Sequence, residues 1–518
     1  MKRNQPTIGM PDVVADVQVL ISADDAYPAL ERTFLRAQTE IVMGFRIFDP
    51  RTKLRSVEAL EIGDTWVDLL VHVLRRGVKV TLYLSDFDPV AATELHSGTW
   101  RSVRILCGVR EIAGEGAADL IVYPVIHPAR IGWVPRLLLR PFVAAKIRKL
   151  QQKFASGTGR KRRALARIPG VRSVVNTAGI AQVPNYPATH HQKTAVIDDR
   201  WVYIGGLDLD ERRFDNWSHD RPSQQTWHDV QVLIDDPAIA AQAADHLSSF
   251  VSVVCGNSDP VRTPDVLRTL SRRRSRRNLF AIGPETVLSD IADRHIAEIS
   301  VAEGLIYLET QFFRDKRIAQ ALAQRARQQR NLQLVLVLPA APETVAFEND
   351  PKLDGRYGDY LQIQCLRKIR KAFGERLIVV SPVQRRLPAQ SDHGASRATL
   401  HGAPVIYVHS KVSVFSGRAA IVSSANLNGR SMRWDTETGV VLTERTDIET
   451  LQNALWSHWW PNDPAFQNGA AGFDDWRRAV DENVKTPPNE RRGFLVPYDA
   501  GAAQSTAIPM PGMPEEMV

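Results

Sequence analysis

His191-Gln192-Lys193-Thr194-Ala195-Val196-Ile197-Asp198 decides the reading of this chain, because about two hundred residues later it recurs as His409-Ser410-Lys411-Val412-Ser413-Val414-Phe415-Ser416. A turn, an apolar run and a small-residue patch follow each copy: Trp201 to Asp208 after the first, Ala419 to Asn426 after the second. Val and Ile around the turn formers Asp198-Asp199-Arg200 and Ser416-Gly417-Arg418 read as strand, tight turn, strand. Residues two apart on a strand share a face. His191 therefore projects with Lys193, and His409 with Lys411, while Asp198 and Ser416 fall at the turns and are read as structural. A lone His-x-Lys on a strand is ordinarily a solvated face. Two copies sharing spacing, turn and downstream patch imply two similar half-sites.

Two histidines and two lysines in one cleft suit the cleavage of a phosphodiester. The non-bridging oxygens carry charge that Lys193 and Lys411 can neutralise, and the Ser424 hydroxyl and Asn426 amide can donate further hydrogen bonds. One histidine must attack while neutral, and the other must hand a proton to the leaving alkoxide. The residues alone do not say which does which. No metal is expected at this site, because a lysine beside each histidine repels a cation and zinc-type Cys/His spacings are absent.

The rest of the chain fits two halves. At 518 residues it is too long for one ordinary domain, and its 44% hydrophobic and 24% charged residues are those of a globular protein. Glu40 to Asp49 opens the first half and Leu305 to Phe313 is its counterpart. Each precedes a helical segment and an apolar strand, Val78–Leu84 or Leu332–Leu338. Strands alternating with helices predict an α/β fold of two pseudo-symmetric lobes, each a mixed sheet flanked by helices, with one active site between them. The expected division is residues 1–256, residues 257–498, and a disordered tail over 499–518 rich in Pro, Gly and Ala. Cys107, Cys255 and Cys365 are scattered and odd in number, which predicts no disulfide framework and suits a reducing compartment. Neither a signal peptide nor a membrane-spanning stretch is read in the chain. The expected location is cytoplasmic or peripheral to a membrane, with export by another route left open.

Charge is uneven. The formal net charge is +8, and no Asp or Glu occurs between Asp119 and Asp198. A basic insertion over about 128–172 carries Leu139, Val143, Ile147, Leu150 and Phe154 at spacings of three and four, with Arg140, Lys146, Arg148, Lys149 and Lys153 on other faces. Such a helix either lies on an anionic membrane or packs on its own lobe. Arg160 to Arg163 and Arg272 to Arg277 are further basic runs. Phosphate-rich partners, lipid or nucleic acid, suit this balance.

With these residues in view, the chain resembles the phospholipase D superfamily. The paired His-x-Lys motifs carry the resemblance. So do Gly205-Gly206-Leu207-Asp208 and Trp227-His228-Asp229-Val230 in the first block, and Ser424-Ala425-Asn426-Leu427-Asn428-Gly429-Arg430-Ser431-Met432 with Asp435-Thr436-Glu437 in the second. Ile306 to Phe313 and Arg356 to Gln362 resemble segments of its phospholipid-cleaving branch. Two positions depart from the pattern, Ser416 where the family has Asp and Ser423 where it has Gly.

The resemblance implies His191 as nucleophile, His409 as general acid, and Asp229 and Glu437 as orienters of the imidazoles. It also implies Asp208 at the phosphate and Glu309 and Gln311 at the cleft floor. No cofactor is implied. The expected activity is that of a phospholipase D, turning a phosphatidylcholine-like lipid into phosphatidic acid and free headgroup, with headgroup exchange where an alcohol replaces water. The expected partners are the phospholipid and an anionic membrane surface, acting on a monomer. A nuclease is the alternative enzymatic reading, disfavoured because many nucleases of the superfamily carry one motif and dimerise. A lipid-binding scaffold with a degraded second half is the non-enzymatic alternative, and the retained His409, Lys411 and Glu437 count against it.

Overall fold

The computed structural model describes residues 17–159, 169, 186–274, 279–347, 353–392 and 397–518. Arg160 to Arg163, most of 160–185, and Ser275 to Arg277 of the second basic run lie outside the described residues.

Two mixed sheets carry the chain. In the first, the strands run in the spatial order Leu120–Ile126, Lys79–Asp86, Glu40–Phe45, Lys193–Ile197, Trp201–Gly205, Val230–Asp235 and Val17–Ile21. In the second, Leu377–Pro382, Gln333–Val337, Leu305–Thr310, Lys411–Phe415, Ala419–Ser423, Glu437–Leu442 and Val266–Arg272 take the same seven places. The second sheet adds one strand at each edge, Leu495–Pro497 and Glu285–Ser289. The first three strands of each set are parallel, as βαβ crossovers require, and the hairpins beyond them are antiparallel. The central strands Lys193–Ile197, Lys411–Phe415 and Ala419–Ser423 are buried at every position because both faces are covered, while Lys79–Asp86 and Leu120–Ile126 near the edge keep partly exposed positions.

The two halves mirror each other down to register. Phe45 pairs with Lys193 as Thr310 pairs with Lys411. The Asp198 carboxylate accepts from the backbone amides of Gln38, Thr39 and Glu40, and the Ser416 hydroxyl donates to the Leu305 carbonyl at 2.7 Å. Both side chains tie their hairpin turn to the neighbouring strand.

The sheets meet through a pair of short parallel bridges, His190 with Thr436 and His228 with Val408. The amide of His191 donates to the Thr436 carbonyl at 2.7 Å, and that of His409 to the His228 carbonyl at 2.8 Å. At the axis between them the Thr194 and Thr438 hydroxyls lie 2.7 Å apart. The interlobe seam is thus made of backbone bonds that fix the residues next to each histidine.

Two expectations need correction, and the basic helix meets one of the two readings left open for it. Helix Pro237–Cys255 is long and apolar enough to cross a membrane, with a mean hydropathy of 1.3, although no such stretch was expected. It instead buries Ala240, Ala243, Leu247, Phe250, Val253 and Val254 against strands of both sheets. The basic helix, Trp133–Ser156, turns Val143 and Ile147 inward to pack with Val90, so the foreseen apolar stripe covers its own lobe. The tail is ordered rather than disordered. It forms a helix over Ala500–Thr506, and Glu515 and Glu516 pair with Arg433, whose guanidinium also reaches Asp315. Composition missed this because the tail's order comes from the few charged residues at its end.

Deleting residues 507–518 should leave Arg433 with Asp315 alone and lower stability by about 1–3 kcal/mol, the usual worth of hydrogen bonds to charged groups. Urea unfolding of the full and shortened chains measures this, and an unchanged midpoint would contradict the docking of the tail.

Candidate active site

His191 and His409 each stand two residues before the lysine that opens a central strand, and the seam brings the four side chains to one place. The imidazole centroids lie 6.4 Å apart. Lys193 and Lys411 are buried and each donates to the carbonyl of the histidine two residues earlier. His191 and His409 retain a little exposure, 9% and 4%, which marks the opening of the cleft.

The carboxylates are exchanged between the halves. His191 Nδ1 lies 3.0 Å from Glu437 Oε2, contributed by the second sheet, and 3.2 Å from the Ser424 carbonyl. His409 Nδ1 lies 2.6 Å from Asp229 Oδ2, contributed by the first. With each Nδ1 so held, each Nε2 is the nitrogen left for chemistry. The sequence placed both carboxylates at the site but could not assign them across the seam.

Burial governs the electrostatics. It pushes the Glu437 carboxyl up to about 8 and Asp229 up to about 6, against the pull of Lys193 on the first and chiefly Lys411 on the second. It lowers Lys411 to about 7, with Asp229 opposing and Lys193 adding repulsion, and it lowers Lys193 too. Both histidines are held well below their ordinary value, first by burial and then by the neighbouring lysine, so the empty cleft presents neutral imidazoles. An anion entering the cleft would supply the negative charge that favours protonated Lys411 and one imidazolium.

Three expected roles change. The Asp208 carboxylate accepts from the Ile47 amide at 2.9 Å and lies 3.9 Å from Lys193 Nζ and 4.0 Å from Arg46, so it positions cations and would repel a phosphate. The Ser424 hydroxyl is occupied by Glu437 Oε2 and by the Thr438 amide, so it braces the carboxylate and does not face the cleft. Glu309 lies beneath the floor, bonded by His228, Ser410, Tyr307 and Trp459. Gln311 and Asn426 do meet at the cleft, with the Asn426 amide donating to Gln311 Oε1 at 3.2 Å.

The sequence reading missed the arginines and the aromatic floor. Trp227 lies against His409, with centroids 4.6 Å apart, and the Arg213 guanidinium sits 3.6 Å over the Trp227 ring. Arg213 Nε and Nη1 and Arg46 Nε are buried without a hydrogen-bond partner among the described residues. The charge of Arg213 acts on His409, and those of Arg46 and Arg430 on His191. A signal existed: Arg212-Arg213 follow Asp208 much as Arg430 follows Asn426, so extending the repeat by a few residues would have found them.

Residues 295–459 match the family described as cardiolipin synthase, PLD-like domain. The chain is 24% identical over 364 residues to phospholipase D1 of Schizosaccharomyces pombe, covering 50% of this chain and 25% of that protein. It is 22% identical over 371 residues to phospholipase D alpha 3 of Arabidopsis thaliana, covering 49% of this chain and 44% of that protein. The chain thus spans less than half the length of these relatives. Among solved structures, phosphatidylserine synthase of Haemophilus influenzae is similar over 86% of each chain, with a TM-score of 0.52 and 13% identity. That likeness concerns the fold.

The position of Lys411 predicts a pH dependence. Without substrate it is charged below about 7 and neutral above, so kcat/KM, which reports the free protein, should fall as pH rises through that value. A bound anionic substrate would stabilise the ammonium, so the matching limb of kcat should lie at higher pH. Profiles of both parameters decide this, and a kcat/KM that climbs through the same window would contradict the assignment.

Proposed function

We propose that the chain is a member of the phospholipase D superfamily that cleaves glycerophospholipids to phosphatidic acid and a free headgroup through a phosphohistidine, a reading supported by the matched PLD-like domain and the phospholipase D relatives. The observation that carries this reading is the pair of imidazoles 6.4 Å apart, each held at Nδ1 by the other half's carboxyl and flanked by a buried lysine. In the proposed mechanism Nε2 of His191 attacks phosphorus while the bond to the headgroup oxygen breaks. His409 gives its Nε2 proton to the departing alkoxide. It then takes a proton from water, and the resulting hydroxide breaks the P–N bond to release phosphatidic acid. Lys193 and Lys411 bear the charge on the non-bridging oxygens at both steps. An alcohol can take the place of that water. The description of the matched family as cardiolipin synthase supports this transfer as a second reading of the same chemistry.

Mixed phospholipids incubated with the protein and ethanol should yield phosphatidic acid and phosphatidylethanol by mass spectrometry, and His191→Ala should yield neither. DNA supplied in parallel should remain intact. Turnover of DNA with untouched lipids would overturn the lipid reading, and lipid turnover by His191→Ala would overturn the mechanism.

The proposed substrate lies in a membrane, and the surface carries a feature suited to one. Trp133, Leu138 and Phe280 are 61%, 78% and 71% exposed, with Leu137 and Leu279 beside them in sequence. Two backbone bonds, Gly132 to Ala281 and Val134 to Leu279, hold the two segments together. Arg140, Arg148 and Lys149 are exposed along the same helix. Apolar tips with cations near them fit an anionic bilayer. Replacing Trp133, Leu138 and Phe280 with Ser should cut co-sedimentation with anionic vesicles at least about tenfold, since each loses well over 1 kcal/mol of burial, and spare turnover of a soluble short-chain lipid. Undiminished vesicle binding would remove this surface from the account.

A further inference from the structure

Beneath His409, on the far side of Asp229, three histidines from distant parts of the chain converge. His219 and His228 come from the first half and His458 from the helix Arg445–Trp459 of the second. All three are fully buried, and one ring nitrogen of each lies within 4.8 Å of one nitrogen of both others. Nε2 of His219 and Nε2 of His458 are 3.1 Å apart.

The outer nitrogens of two of the rings are held by carboxylates. His219 Nδ1 lies 2.6 Å from Asp215 Oδ2, and His228 Nε2 lies 3.1 Å from Glu309 Oε2. A carboxylate behind an imidazole is the arrangement that fixes the tautomer of a metal ligand and raises its basicity. Meanwhile Nδ1 of His228 and Nδ1 of His458 are buried without a hydrogen-bond partner among the described residues. Buried polar atoms are rarely left so. Trp217, Trp459 and Phe494 pack around the rings and close the site to bulk water.

Charge gives an independent reason. Asp215 and Glu309 are buried carboxylates whose ion-pair partners, among the described residues, are these histidines. A divalent cation held by the three imidazoles would place positive charge between these two carboxylates, and imidazole ligates a metal in its neutral form.

We propose that His219, His228 and His458 bind one divalent transition metal of the class imidazole favours, zinc foremost. The site is structural. Asp229 directly follows His228, whose carbonyl accepts from the His409 amide at 2.8 Å, and Ser410, which follows His409, donates to Glu309 at 2.6 Å. The metal would thus tie both halves together behind the general-acid side of the cleft. The sequence reading expected no metal in this chain, and these three histidines, none of them next to Lys193 or Lys411 in sequence, depart from that expectation. The site does not depend on which phosphodiester the cleft accepts.

The test uses the full chain purified without a polyhistidine tag or chelator. Elemental analysis should find about one zinc per chain, retained through dialysis. Prolonged exposure to a chelator should lower the melting temperature, zinc should restore it, and cobalt in its place should give visible ligand-field bands. His219→Gln and His458→Gln should each lose the metal and melt at a temperature indifferent to chelator. If either variant fails to fold, the wild-type titration with cobalt still decides. A metal-free wild type whose melting ignores chelator, zinc and cobalt would overturn the proposal, as would a variant pair that keeps its metal.

Discussion

Each histidine of the cleft is held by a carboxyl from the other half of the chain, and most of the surrounding structure follows from that exchange. Glu437 reaches His191 and Asp229 reaches His409 because the bridges between His190 and Thr436 and between His228 and Val408 set the two sheets in register. Neither half can therefore form an oriented imidazole alone. A duplicated hairpin becomes a single site through backbone hydrogen bonds at the seam, and the Thr194–Thr438 contact marks the axis about which the two copies are related.

The symmetry is broken where the proposed chemistry needs two different histidines. Arg46 follows Phe45 on the first sheet, and Gln311 follows Thr310 at the equivalent place on the second. Asp208 likewise stands where the second half has Asn426. The His191 side therefore holds Arg46 with its own carboxylate, while the His409 side holds a pair of amides and the Trp227 ring. Both imidazoles have guanidinium charge acting on them, Arg46 and Arg430 on His191 and Arg213 on His409, so the asymmetry lies in the carboxylate on one side and the amides on the other. The two sides thus differ in charge although their backbones match.

Much of this was legible in the residues. The His-x-Lys repeat, the turn residues after it, and the paired segments at Glu40 and Leu305 together pointed to strand, helix, strand and hairpin along each half, and to the four side chains that meet at the seam. Tertiary pairing was not legible: nothing local tells Glu437 to face His191, or Ser424 to brace Glu437 when its hydroxyl could equally have met a phosphate. Asp208 misled because an acidic residue beside a phosphate site can serve through its neighbouring lysine. The stripe from Leu139 to Phe154 had the period of an amphipathic helix, but periodicity does not say what the apolar face meets, and Val90 met it. The three histidines at 219, 228 and 458 have no short spacing to betray them, so only folding brings them together.

The central claim is that one site, built from both halves, uses His191 to carry the phosphatidyl group. Acid quenching is unsuited to a P–N bond, so turnover of a phosphorus-labelled lipid should be stopped in strong base and the chain digested for mass spectrometry. The account predicts a single phosphohistidine, on His191, at no more than one per chain, and its accumulation in His409→Asn when the lipid carries an activated leaving group that departs without a proton, because that variant lacks the base that activates water. Label on His409, or on both histidines at once, would contradict it.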